Sequence, residues 1–171
     1  MLTGLAPLVS ERTRLLVLGS FPGVASLRAK QYYGHPQNHF WKILQAIWPS
    51  SPIPAGADSY QNRSKWLLDR QLGVWDVYAT CEREGSLDSA IRGAVVNDFA
   101  ALLQTCPRLE AIAHNGAESF RHAARVKASL GAAAELTFYR VPSTSPANAS
   151  WSFERKLAAW RDVFARHQLT D

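Results

Sequence analysis

Leu15-Leu16-Val17-Leu18 is a continuous apolar run stopped by Gly19. A run so short and unbroken suits a strand covered on both faces, as in a parallel sheet. Phe40, Ile43, Leu44 and Ile47 then recur at helical spacing up to Pro49, which predicts a helix ending there and a loop over residues 49–59. Residues 73–78 alternate and are rich in β-branched and aromatic side chains, the mark of a second strand. Asn97 stands where it would cap a helix carrying Phe99, Leu102 and Leu103. Residues 109–113 predict a third strand, followed by Asn115-Gly116 and an alanine-rich helix with Phe120, Ala123 and Ala124 on one stripe, ending near Gly131. Residues 135–141 predict a fourth strand. A turn over residues 142–148 leads into a last helix whose inward face is Phe153, Leu157, Trp160 and Phe164.

Strands alternating with helices predict an α/β fold, a three-layer α/β/α sandwich around a central four-stranded, mostly parallel sheet. With 171 residues, 47% of them hydrophobic, one domain spanning residues 1–171 is expected. Every apolar stretch is broken well short of the roughly 20 residues of a membrane span, and the first residues, MLTGLAPLVSERTR, put no basic segment ahead of an apolar one. No membrane association is expected, and a cytoplasmic location is. The two cysteines, Cys81 and Cys106, are expected to be reduced thiols, and with no histidines at ligand spacing no metal site is implied. A net charge of +5 favours a polyanionic partner only in general terms, since scattered lysines and arginines also describe a solvated helix face.

In open α/β sheets ligands bind beyond the carboxyl ends of the strands, which directs attention to the segments after each strand. After the first come Gly19-Ser20-Phe21-Pro22-Gly23 and Tyr32-Tyr33-Gly34-His35-Pro36-Gln37-Asn38-His39-Phe40-Trp41. After the third comes His114-Asn115-Gly116, and after the fourth the segment 142–150. Asn38 carries both an acceptor and two donors, suited to orienting water or bonding a leaving group, and equally suited to capping the helix that follows. Phe40 is a candidate stacking platform but also begins the apolar stripe of that helix. Ser143, Thr144, Ser145 and Asn148 suit phosphate contacts or turn chemistry. His114 and Asn115 stand where the third strand should end, so either suits the crevice, while Asn-Gly is also an ordinary turn or helix-entry pair, and the structural role is the one expected; His35 and His39 read as pocket or surface residues.

Taken together, GSFPG, YYGHPQNHFW and VPSTSPANAS resemble the uracil-DNA glycosylase superfamily, most closely its hypoxanthine (deoxyinosine) branch, in order and spacing along nearly the whole chain. The resemblance implies hydrolysis of the N-glycosidic bond of a flipped, deaminated base in damaged DNA: hypoxanthine, with uracil or xanthine as weaker substrates, and no cofactor. It makes Asn38 the catalytic amide and assigns base contacts to Ser20, Phe21, Pro22, Gly23, Tyr33, Phe40 and Asn115. DNA contacts fall to Ser143, Thr144, Ser145 and Asn148. Phe21 departs from the pattern: mismatch-specific relatives carry asparagine there and the efficient uracil enzymes a water-activating aspartate nearby, and Phe21 can do neither job. Strand cleavage through a Schiff base needs an amine, and of five lysines only Lys30 lies in a crevice loop, so a monofunctional enzyme is expected. Monomer is the expected state. Two other readings stay open at this point: a catalytically silent DNA-binding module of the same fold, and a hydrolase of nucleosides or small phosphorylated ligands.

Overall fold

The computed structural model describes residues 1–56, 58–131 and 135–171. Its central sheet has four parallel strands, β2 (Leu15–Gly19), β3 (Leu72–Asp76), β6 (Ala111–Asn115) and β7 (Thr137–Val141), in the order β3-β2-β6-β7. Every residue of β2 and β6 is buried, so the apolar run at residue 15 is a central strand covered on both sides. The pleat sorts its side chains. Leu15 and Val17 join the core formed with α2 (Phe40–Ile47), α3 (Tyr60–Asp69) and α7 (Phe153–Arg166). Leu16 and Leu18 join the opposite core, which holds Phe99, Leu102, Val126 and Leu130. The second core is closed by α4 (Leu102–Thr105), α6 (Ala123–Leu130) and a small antiparallel sheet of β1 (Leu2–Thr3), β4 (Tyr78–Glu82) and β5 (Arg92–Val96). The layered α/β/α architecture expected from the hydrophobic pattern is the one observed.

Several local expectations change. The pattern over residues 73–78 splits: β3 ends at Asp76, and Tyr78 begins β4 in the other sheet. The reason lies in β2, which turns away after Gly19. The Val77 N–H makes the last parallel bond, to the Gly19 carbonyl, and the Tyr78 N–H donates to the Ser20 carbonyl beyond the paired strand. Asn97 caps no helix; its Nδ2 donates to the Asp76 carbonyl at 2.8 Å, bracing the end of β3. The alanine-rich helix is two pieces, α5 (Ala117–Phe120) and α6. The break at Arg121-His122 resets the phase, so that Val126 and Leu130, not Ala124, face the core. Helices α1 (Val24–Ala29) and α3 fall where no apolar stripe announced them.

Candidate active site

Gly19, Asp76, Asn115 and Val141 end the four parallel strands, and a cleft of about 860 Å³ lies beyond them. It is where an open α/β sheet places its ligand. The segments after β2, β6 and β7 form its walls, as the sequence pattern requires. A further wall, Ser86 to Asp88, comes from the turn between β4 and β5.

Asn115 ties three of these segments together. Its Nδ2 donates to the Tyr33 hydroxyl at 3.1 Å and to Thr144 Oγ1 at 3.0 Å, while its Oδ1 accepts from the Thr144 N–H at 3.0 Å. The side chain thereby uses both its donors and one acceptor site inside the protein, which fixes Tyr33 and Thr144. The neighbouring His114 points to the other face of the strand. There its Nδ1–H donates to Ser119 Oγ at 2.7 Å, and burial pushes its pKa down to about 4. His114 is a neutral core residue, as its sequence position suggested.

Asn38 lines the cleft at the start of α2. Its Oδ1 accepts from the Phe40 N–H at 2.9 Å, so from the position before the N-cap His39 this oxygen satisfies the first N–H of the helix. Its amide N–H groups donate to none of the described residues. The helix contact therefore uses one atom of the side chain and leaves its donors unpaired among the described residues.

Tyr33 lines the cleft, held by Asn115 and stacked on Phe40 with centroids 4.1 Å apart. Phe40 itself is 0% exposed and lies outside the cleft, wedged edge-on to Trp41 and Trp160. Of the two aromatics, Tyr33 lines the cleft and Phe40 packs behind it. The helical stripe that includes Phe40 was the better guide to its role.

Phe21 reaches the cleft wall, but its ring is buried among Leu16, Leu18, Val77 and Tyr78, with the Arg83 guanidinium 5.3 Å from its centroid. An amide placed there would lie in an apolar cluster. Phe21→Asn is expected to lower stability by about 2–4 kcal/mol and to leave uracil excision no higher than before; thermal unfolding and a uracil-duplex assay check both.

Pro22 and Gly23 line the first loop, and Ser20 gives its hydroxyl proton to Asp88 Oδ1 at 2.7 Å. In the last loop Thr144 is 1% exposed, turned inward to Asn115, and its carbonyl accepts the His39 N–H. It shapes the loop and does not present a hydroxyl to solvent. Ser143 Oγ accepts from the Ser145 N–H and Ser145 Oγ from the Ala147 N–H, at 3.2 and 3.1 Å. Each hydroxyl keeps its own proton free for an anionic oxygen. Asn148 closes the loop by donating to the Ser143 carbonyl at 3.1 Å.

The residue that sequence reading passed over is Asp76. Its place in an alternating strand hid it, and the only signal was one acid among apolar neighbours. Opposite it in register stands Gly19, where a β-carbon would come within 2.5 Å of Asp76 Oδ1; the glycine is needed for this close approach. Asp76 is 5% exposed, lines the cleft, and its buried Oδ2 has no partner among the described residues. Burial, reinforced by the nearby Asp88 and opposed by Arg83, pushes its pKa up to about 7. Asp88 is raised too, chiefly by burial. A carboxyl group poised to carry or release a proton at neutral pH thus sits at the floor of the cleft.

Among the described residues no group of histidine, cysteine or acidic side chains has the arrangement of a metal site, and no helix is long and apolar enough to cross a membrane.

Residues 6–164 match the model of the Uracil DNA glycosylase superfamily. The chain is 34% identical over 167 residues to a hypoxanthine DNA glycosylase of Methanosarcina barkeri, covering 95% of this chain and 98% of that protein. It is also 34% identical over 165 residues to a hypoxanthine DNA glycosylase of Methanosarcina acetivorans, covering 96% and 98%. A solution NMR structure of a Methanosarcina acetivorans protein, described as a candidate uracil DNA glycosylase, superposes with a TM-score of 0.80 at 32% identity and covers 96% of both chains.

Proposed function

Because the chain belongs to the uracil-DNA glycosylase superfamily, we propose that it is a monofunctional DNA glycosylase that hydrolyses the N-glycosidic bond of a deaminated base, hypoxanthine first, turned out of the duplex into the cleft. The observation that carries this reading is the composition of the cleft. It joins an aromatic face (Tyr33), a free amide donor (Asn38), a carboxyl group that titrates near neutrality (Asp76) and two free hydroxyl donors (Ser143, Ser145).

Each part answers a physical need. A base taken out of the stack loses its neighbours, and stacking on an aromatic ring restores roughly 1–3 kcal/mol. Deamination replaces an amine by a carbonyl beside a ring N–H. A protonated Asp76 offers a donor and an acceptor on adjacent atoms, matching that carbonyl and N–H in one pair of hydrogen bonds. As the glycosidic bond breaks, negative charge grows on the base and positive charge on the sugar. The Asn38 N–H groups are the donors available to the departing base or to the attacking water's oxygen. The Asn38 oxygen is held by the Phe40 N–H, which favours donation over proton abstraction. Ser143 and Ser145 meet the phosphates of the flipped nucleotide. A monomer acting within the cytoplasm fits this task.

The test is single-turnover excision from labelled duplexes carrying one hypoxanthine, uracil or xanthine, developed by alkali cleavage at abasic sites. Hypoxanthine excision is the expected outcome. Duplex binding without release of any base would instead leave a silent binding module, and turnover of mononucleosides without duplex affinity a nucleoside hydrolase.

A further inference from the structure

Behind the last loop of the cleft lies a second concavity of about 340 Å³, lined by Gln37, His39, Lys42, Asn148, Trp151 and Lys156 among others. Asn148 and Trp151 belong to both walls, so one thin stretch of chain separates the two spaces. Lys156, near the start of α7, is 1% exposed. Its ammonium donates only to neutral acceptors, the Ser145 carbonyl and His39 Nδ1, both at 3.3 Å. Among the described residues Lys65, paired with Asp69, is the one lysine with a carboxylate within 4.0 Å. A buried ammonium without a counter-anion costs several kcal/mol. Around it positive charge predominates. Lys42 is exposed at the rim, and the Arg155 guanidinium lies over Trp151, 4.0 Å from the ring centroid. The carboxylate that bears on this region is Glu154, which acts on His39 from outside the lining.

A hollow with two lysines in its wall, an arginine beside it and no acid in its lining suits an anion. We propose that it binds a phosphodiester group of the lesion-bearing strand, adjacent to those met by Ser143 and Ser145 across the shared loop. The site rests on the reading of the cleft as a DNA site. Lys42 supplies charge from the rim, and Lys156 supplies its remaining N–H and the counter-charge its burial lacks. Through Ser145, the same ammonium couples occupancy of this hollow to the shape of the loop that holds the flipped nucleotide.

Binding of a fluorescent hypoxanthine duplex is measured across a potassium chloride series with the full chain, Lys42→Ala and Lys156→Met. Each variant is expected to bind roughly tenfold more weakly and to lose about 0.9 from the slope of log affinity against log salt. Lys156→Met, which removes a buried charge, is expected to unfold at the same or a higher temperature, an outcome that separates lost binding from lost folding. A single methylphosphonate beside the lesion should weaken the wild type equally and leave Lys42→Ala unaffected. The exposed Lys42 decides the matter if Lys156→Met fails to fold. An unchanged salt slope in Lys42→Ala overturns the site, as does inorganic phosphate that protects the protein from unfolding as well as duplex does. Base excision with no Lys42 effect sinks this site alone; Lys42-dependent binding without excision of any base sinks the enzymatic reading alone.

Discussion

Asn38→Ala is expected to slow single-turnover excision of hypoxanthine by about 10²–10³-fold, the usual cost of removing one preplaced donor from a developing anion. Alanine also removes the α2 cap, with a loss of about 1 kcal/mol, so this variant alone mixes two effects. Asn38→Asp separates them. Aspartate is as good a cap and leaves the Phe40 N–H satisfied, but it brings a negative charge and no donor to the place where the base becomes an anion. Its melting temperature should match the wild type while its excision rate falls as far as that of the alanine variant. An aspartate variant with near-normal turnover would show that Asn38 only starts a helix, or that its oxygen is the working atom.

Asp76→Asn is expected to alter both stability and its dependence on pH. The ordinary carboxyl value is 3.8 and burial raises Asp76 to about 7. Below pH 4 the folded and unfolded chains both hold the proton, and the group contributes nothing. As pH rises from 4 to 7 the unfolded chain ionises while the folded one keeps its proton, so stability falls. Above 7 the loss is complete, on the order of 4 kcal/mol. Asparagine does not titrate, so the advantage of the variant over the wild type should grow across that window and then level off. Denaturant unfolding at pH 4.5 and pH 8 reads the difference directly, and equal differences at the two values would contradict an Asp76 that stays protonated. Activity follows the same logic. Wild-type excision should decline as pH rises through 7, whereas Asp76→Asn keeps a donor and an acceptor and should lose that decline. Asp76→Ala leaves the base edge unpaired and should cost about 10–100-fold in rate at pH 6.

The chain by itself determined the architecture and the location of the chemistry. Strand patterns alternating with helical stripes admit little besides a covered parallel sheet, whose central run Leu15 to Leu18 is apolar throughout because it is buried on both faces, and whose intervening helices must be amphipathic. The sheet in turn places any ligand at its carboxyl edge, and the hydroxyl, amide and aromatic residues stand in the segments that reach this edge. Tertiary structure decided which atoms face the cleft. Phe40 and Tyr33 are both aromatic and seven residues apart, yet only Tyr33 meets the cleft, since Phe40 belongs to the α2 stripe that packs on Trp160. Thr144 stands between two serines and turns inward because Asn115, 29 residues earlier, pairs with both its hydroxyl and its backbone N–H. Asp76 is one acid in a strand until Gly19 is placed opposite it and Asp88 is brought in on a turn between two strands that have no strong hydrophobic pattern of their own. Periodicity is a local property and survives in the sequence, whereas burial of a charge and the partner of a hydrogen bond depend on residues far apart in the chain, which only the closed fold brings together.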